Sequence, residues 1–234
     1  MKYLKEIIKA KRDKKTLPSL AHLIKQYGLW YKCLHNTDVF KNAIPWITFS
    51  AIDFLNRYLK GDMKVFEYGG GGSTLFFSSR VNELVTIEHN RDWSEALRKV
   101  MQDQTNVKWD GNFIEAEDVA EISKPNPSNP SHYVSEDVTF KNKSFQQYAS
   151  FIDTYPDEYF DVVLVDGRAR PSCLKHSLTK VKKNGLLILD NADRSYYLEY
   201  FHDKLNNYKL ELRDFGPTPY VKWFTQTNIW RRIE

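Results

Sequence analysis

Four consecutive glycines, Gly69 to Gly72, stand between the apolar run Val65-Phe66 and the apolar triplet Leu75-Phe76-Phe77. Linkers between domains run through exposed, polar chain, whereas these glycines are bracketed by residues that need burial. The stretch VFEYGGGGST is therefore expected to fold as one unit: a short strand, a tight turn and the start of a helix. Glycine removes the side chain that would hold a ligand away, so backbone N–H groups and a helix N-terminus can approach a bound group closely. Glu67 sets a carboxylate beside that turn.

The rest of the chain continues the alternation. Apolar spacing predicts helices at residues 2–12, 18–27 and 46–60, the last started by Pro45. Beyond the strand at 63–67 come a helix at 74–80, a strand at 83–88 (ELVTIE), a helix at 91–102 and a weak strand at 106–109. Helical spacing returns at 144–154. The strand FDVVLV (160–165), a helix at 171–181, the strand GLLILD (185–190) and a helix at 195–205 follow. Two closing strands, 208–215 and 220–231, have no helix between them and are expected as an antiparallel hairpin at one edge. FDVVLV and GLLILD are apolar throughout, which marks a parallel sheet covered on both faces. The expected fold is α/β: a doubly wound, mostly parallel sheet with a terminal antiparallel strand, preceded by an N-terminal helical cap. The cap is assigned to residues 1–60 and the sheet domain to 61–234. In such sheets ligands bind beyond the carboxyl ends of the strands, so Glu67, the glycines, Glu88, Asp166 and Asp190 share one rim.

Charge narrows the partners. Residues 1–15 hold seven basic and two acidic side chains, a net of +5, so with +4 overall the remaining chain sums to −1. The body is not an electrostatic nucleic-acid binder, and no nucleic-acid partner is expected. The basic start places Leu4, Ile7 and Ile8 on one helical face. It is expected to pack on the domain, with contact to an anionic membrane surface as the alternative. No apolar run reaches the roughly 18 residues of a membrane span, and the start lacks the apolar centre of a signal peptide. Cys33 and Cys173 show no metal-like or redox-like spacing. Reduced, packed thiols in a cytoplasmic protein are the expectation.

Residues 123–143 interrupt the pattern. The run SKPNPSNPSHYVSED carries three prolines, and a loop of this length is expected as a lid or a disordered insertion. His132 and Tyr133 lie in it, and His132 is a candidate base.

What does the turn hold? A dinucleotide fingerprint wants a small residue where Thr74 stands, and a carboxylate at Glu67 would repel a pyrophosphate. A cationic ligand without phosphate fits better. Here a family resemblance enters. Glu67-x-Gly69-x-Gly71-x-Ser73 resembles motif I of the class I S-adenosylmethionine-dependent methyltransferases, with Ser73 where the motif has its third glycine. The resemblance spans roughly residues 46–234 and implies a Rossmann-like fold. It also implies that Glu67, Gly69, Gly71 and Ser73 cradle the methionine part of S-adenosylmethionine. Glu88 matches the family's acidic residue that binds the ribose hydroxyls, and Asp166 its acidic position at the end of the fourth strand. Val165-Asp166-Gly167-Arg168-Ala169-Arg170 with Cys173, then Leu189-Asp190-Asn191, together with Ile44-Pro45-Trp46-Ile47-Thr48-Phe49-Ser50, are similar to a subgroup of small bacterial methyltransferases. Some of that subgroup appear linked to glycan or secondary-metabolite modification. The implied reaction is methyl transfer to an oxygen, less readily a nitrogen, of a small molecule or glycan.

Several roles stay open at this stage. Asp166 is placed to orient the acceptor or take its proton, or merely to cap the next helix. Asp166, Asp190 and Asn191 together offer a hard-cation site of the kind found in metal-dependent catechol-type O-methyltransferases. Against it, Arg168 and Arg170 stand close enough in sequence to neutralise both acids. Arg168, Arg170 and Arg194 either bind an anionic acceptor or pair with the domain's own carboxylates. His89 is expected near the adenine or at the surface, His176 in a structural role, and Trp46, Thr48 and Ser50 over the cofactor or in the core. Rival classes are an NAD-binding oxidoreductase, an aminopropyltransferase of the spermidine-synthase type, and a protein that binds the cofactor without turnover. VDGRAR lacks the second acid and proline expected of the aminopropyltransferase.

Overall fold

The structure is a computed structural model that describes residues 2–120 and 124–234. Four helices come first: α1 (Lys2–Arg12), α2 (Leu20–His35), α3 (Val39–Asn42) and α4 (Phe49–Tyr58). Then follow β1 (Lys64–Tyr68), α5 (Gly72–Ser78), β2 (Glu83–Glu88), α6 (Arg91–Met101) and β3 (Lys108–Phe113). A two-residue pair, β4 (Glu117–Asp118) and β5 (Lys143–Ser144), closes the base of the proline-rich loop. The chain ends with α7 (Gln146–Ser150), β6 (Phe160–Val165), α8 (Arg170–Ser177), β7 (Val181–Leu189), β8 (Tyr208–Pro217) and β9 (Phe224–Arg232). Small polar residues start the helices by taking otherwise orphaned N–H groups. Ser19 accepts from His22 N–H, Thr48 from Ala51 N–H and Asn90 from Trp93 N–H.

The seven-stranded sheet runs β3-β2-β1-β6-β7-β9-β8, and β9 is antiparallel to both of its neighbours. The fold expected from the sequence is thus the fold observed, down to the hairpin that β8 and β9 make at one edge. Strand direction of growth reverses between β1 and β6, which pair in parallel. Alternate residues of each central strand feed opposite cores. Val65, Val162, Leu164, Leu186 and Ile188 join one, while Phe66, Tyr68, Val163, Val165, Leu187 and Leu189 join the other. Both faces are buried, which is why these strands read as continuous apolar runs. The first of these cores also takes Tyr3, Leu23 and Trp30 from α1 and α2. Tyr3 Oη donates to Leu23 O at 2.7 Å, and Trp30 Nε1 to Val221 O at 2.9 Å. Residues assigned to the cap therefore share a core with the sheet; Met1 lies outside the described residues.

Several expectations change, among them that the helix at 171–181 ends at Ser177 and the strand at 106–109 runs from Lys108 to Phe113. The helix expected to end at 27 continues to His35, because Trp30 and Cys33 extend the buried stripe of Leu23 and Gln26. The strand expected from 185 begins at Val181, with a register shift against β6 between Phe160 and Val162. The helix expected at 195–205 is absent. A single 3-10 turn, Ser195–Tyr197, is followed by further i to i−3 closures at Leu198, Phe201 and Lys204. Burial of Tyr197 and Phe201 fixes this segment, and aromatic residues give a helix little intrinsic support. In the proline-rich loop, Ser123 lies outside the described residues. The remainder is ordered by Asn and Asp side chains that accept from amides two residues on, as Asn126 does from Ser128 and Asp137 from Thr139. Among the described residues, no helix is long and apolar enough to cross a membrane.

Candidate functional site

Beyond the carboxyl ends of β1, β2, β6 and β7 lies a cleft of about 1080 Å³. Its wall includes Gly69, Gly71, Ser73, Glu88, Asp166, Asp190 and Asn191. The structure thus brings together residues that are 121 positions apart in the sequence, counted from Asp190 back to Gly69.

The glycine turn is built by close approach. Gly69 has φ +88°, and a Cβ on it would lie 3.1 Å from Gly167 Cα, so two glycines meet back to back where β1 and β6 part. A Cβ on Gly70 would lie 2.6 Å from Leu97 Cδ2 and 2.7 Å from Thr86 Cγ2. A side chain at Gly69 would be strained by its φ and crowd Gly167, and one at Gly70 would displace Leu97 and Thr86. Two of the turn's amides are committed to side chains. Gly70 N–H donates to Glu88 Oε2 at 3.1 Å and Gly71 N–H to Thr74 Oγ1 at 3.0 Å. Trp93 Nε1 donates to Gly70 O at 2.7 Å and pins the outer side of the turn.

Glu67 stands behind this turn and is not part of the cleft wall. Its Oε1 accepts from the hydroxyls of Thr74 and Thr86. Its Oε2 is buried with no hydrogen bond of good geometry among the described residues, although the nearby Ser73 hydroxyl favours the charged form. Complete burial dominates and pushes the Glu67 carboxyl up to about 7. Glu88 does face the cleft. Besides Gly70 it receives His89 N–H at 2.8 Å and Asn90 N–H at 2.7 Å. His89 Nδ1 lies 2.9 Å from Glu88 Oε1, within ion-pair distance but out of line for a hydrogen bond.

The other half of the rim is organised by Arg170. Its Nη2 lies 3.0 Å from Asp166 Oδ1 and its Nη1 lies 3.7 Å from Asp190 Oδ2. The same guanidinium donates to the main-chain carbonyls of Gly167, Asp166 and Asp190. Asp190 also accepts from Thr227 Oγ1 at 2.6 Å and from Asn191 Nδ2 at 2.7 Å. Burial pushes both carboxyls up, Asp190 to about 6, and Arg170 opposes the shift in each. Asn191 turns its amide N–H, not its oxygen, toward Asp190. The donor set suggested for a hard cation is therefore engaged with a guanidinium and an amide, and does not fit a metal; among the described residues no group of three or more His, Cys, Asp or Glu is arranged to hold one.

The proline-rich loop closes one side. Residues 134–138 line the cleft, and Asp137 Oδ2 pairs with Arg168 Nη1 at 2.9 Å. Glu136 Oε2 accepts from Tyr196 Oη at 2.8 Å and lies 4.0 Å from Arg194 Nη1. All three arginines pair with the domain's own acids, Arg194 most loosely and half exposed at the rim. His132 is not in the wall formed by the described residues: its Nδ1 accepts from Asn126 N–H at 3.1 Å, within the loop itself. Tyr133 Oη reaches His176 Nε2, away from the cleft. His176 in turn contacts Asp153. Trp46 lines the rim, whereas Thr48 caps α4 in the core.

Sequence reasoning missed Thr74, Thr86, Trp93 and Gly167. Thr74 had a signal, since it occupies the position where a dinucleotide turn has glycine, and a hydroxyl seven residues after Glu67 can fold back onto it. Thr86 and Trp93 had none, because their partners lie on other elements.

No family model matches the chain, and no curated protein sequence matches it. Solved structures do match. An O-methyltransferase from Bacillus cereus, solved with S-adenosylhomocysteine, is 13% identical over 100% of both chains with a TM-score of 0.56. A methyltransferase-like protein from Silicibacter pomeroyi is 16% identical, with 81% of this chain and 89% of that one covered and a TM-score of 0.51. An rRNA methylase from Streptococcus thermophilus is 12% identical, with 79% and 95% covered and a TM-score of 0.51. The chain shares the Rossmann-like fold of these proteins. Their diverse names also make plain that this fold serves different acceptors.

Proposed function

We propose that the chain is an S-adenosylmethionine-dependent methyltransferase that methylates an oxygen of a small molecule or glycan. One observation carries the reading. The glycine turn spends two of its N–H groups on Thr74 and Glu88 and is flanked by two carboxylates. A dinucleotide pyrophosphate needs free amides and an electropositive turn; a sulfonium and an ammonium need the reverse.

In this reading Gly69, Gly71 and Ser73 contact the methionine end of the cofactor, and Glu67 beneath them holds Thr74 and Thr86 and so fixes the shape of the turn. Glu88 receives the ribose hydroxyls. Bound S-adenosylmethionine supplies an electrophilic methyl group. The chain's own residues then do the rest. Asp166 faces the cleft with a carboxyl whose proton affinity burial has raised, so it orients the acceptor hydroxyl and takes up its proton. Arg170 holds that carboxylate in place. His132 stays within its loop, so the base role falls to Asp166. Residues 134–138 exclude water from the reacting region. The aromatic rim of Trp46, Tyr196 and Trp223 suits the ring of a sugar or small aromatic acceptor.

Calorimetric titration with S-adenosylhomocysteine, beside NAD and decarboxylated S-adenosylmethionine, tests the cofactor. Micromolar-range binding of the homocysteine product is expected, weakened at least about a hundredfold in Glu88→Ala, since both ribose hydroxyls lose a charged acceptor. Binding of NAD alone would sink the proposal. Tight binding of the decarboxylated compound alone would move it to aminopropyl transfer.

A further inference from the structure

Helix α2 is apolar on two faces. Leu23, Gln26, Trp30 and Cys33 are buried against the sheet. One residue further round at each step, Leu20, Ile24, Tyr27 and Tyr31 stand 70%, 68%, 47% and 53% exposed. Their spacing of four, three and four residues makes a continuous apolar row, where a surface helix of a globular domain carries polar side chains. Leu4 and Ile8, one turn apart on α1, are exposed as well. The ring of Tyr3 meets that of Tyr27 at 5.2 Å, so α1 touches α2 along this row. These two helices and the connection between them are strongly basic: residues 2–35 hold nine Lys and Arg against Glu6 and Asp13. All of the nine but Lys15 are exposed.

What would cover such a face must answer both properties. A second copy meeting the first across a two-fold axis would set this positive face against itself. A nucleic acid answers the charge but not the leucine and isoleucine row. An anionic bilayer answers both: phosphate headgroups meet the lysines, the aliphatic side chains enter the headgroup–acyl boundary, and tyrosines sit at its edge. We infer that the α1–α2 face is a docking surface for anionic lipid bilayers, on which the domain rests without spanning the membrane. Trp30 links this helix to the cleft, because Val221, whose carbonyl it holds, lines the cleft wall.

The test is co-sedimentation of the full chain with vesicles of phosphatidylcholine alone and with about 30 mol% phosphatidylglycerol added. Binding is expected only to the anionic vesicles, and it should fall at least about tenfold in high salt. A double variant, Leu20→Asp with Ile24→Asp, should lose at least about tenfold as well while keeping the wild-type melting temperature, since both side chains are solvated in the native chain. Reversing Lys5 and Lys9 to Glu should act in the same direction. Equal binding by the double variant, or no binding to anionic vesicles at low salt, overturns the inference. A concentration-dependent dimer in light scattering that the double variant abolishes overturns it too, in favour of a second copy.

Discussion

Glu67 and Glu88, at the ends of β1 and β2, receive their hydrogen bonds from threonine hydroxyls and main-chain amides. Asp166 and Asp190, just past β6 and β7, share one guanidinium instead. The two halves of the rim carry the same number of acids but leave different charges behind. The first half has neutral donors only, and burial leaves Glu67 partly protonated near neutral pH, whereas Arg170 sets a positive charge between the two acids of the second. The proposed function assigns the glycine side to the cationic cofactor and the β6–β7 side to the acceptor. The comparison also explains why a hard cation is out of place between Asp166 and Asp190: a positive group built into the chain is already there.

The largest expected effect breaks the second half. Arg170→Ala would leave two buried carboxylates without their counter-charge and should cost about 3–5 kcal/mol in denaturant unfolding near neutral pH. Adding Asp166→Asn and Asp190→Asn should recover part of it; an Arg170→Ala variant of unchanged stability would show that the pairing counts for little.

A smaller change sharpens the first half. Burial lifts the Glu67 carboxyl from its usual 4.5 to about 7, so the native state binds this proton more tightly than the unfolded chain. The stabilisation from that proton is complete below about pH 4.5 and is lost as pH rises through about 7. Glu67→Gln, which imitates the protonated form, should gain on the wild type by roughly 2–3 kcal/mol between those limits. Taking the difference between the two proteins cancels the titration of Asp190 and Asp214, both pushed up to about 6 by burial. A pH-independent difference in unfolding free energy would refute the burial argument. The smallest effect is expected from Thr86→Val, which keeps the shape and removes one hydroxyl donor to Glu67 and the acceptor for Trp109 Nε1. It should cost about 1–3 kcal/mol above pH 7 and less below pH 5, where Glu67 is neutral.

Much of this was legible in the chain. FDVVLV and GLLILD announced a parallel sheet because both faces of those strands are buried, and VFEYGGGGST announced the turn because nothing else places glycines between two apolar runs. Glu88, Asp166 and Asp190 could be set on one rim from the strand ends alone. The segment 195–205 was misread because helical spacing of its apolar residues does not say which of them a neighbouring element will hold. His132 was plausible as a base only while its loop had no shape.

The sequence by itself determined the order of strands and helices, the glycine turn and the row of acids, since each follows from local propensity and periodic burial. Only the tertiary structure decided what each acid is paired with. Glu67 finds Thr86 on the next strand, Asp166 and Asp190 find the same arginine from two strands, and Leu20 and Ile24 on the outer row of α2 stay exposed. Those outcomes depend on distances between elements far apart in the chain, and side-chain charge is compensated through space, not along the sequence.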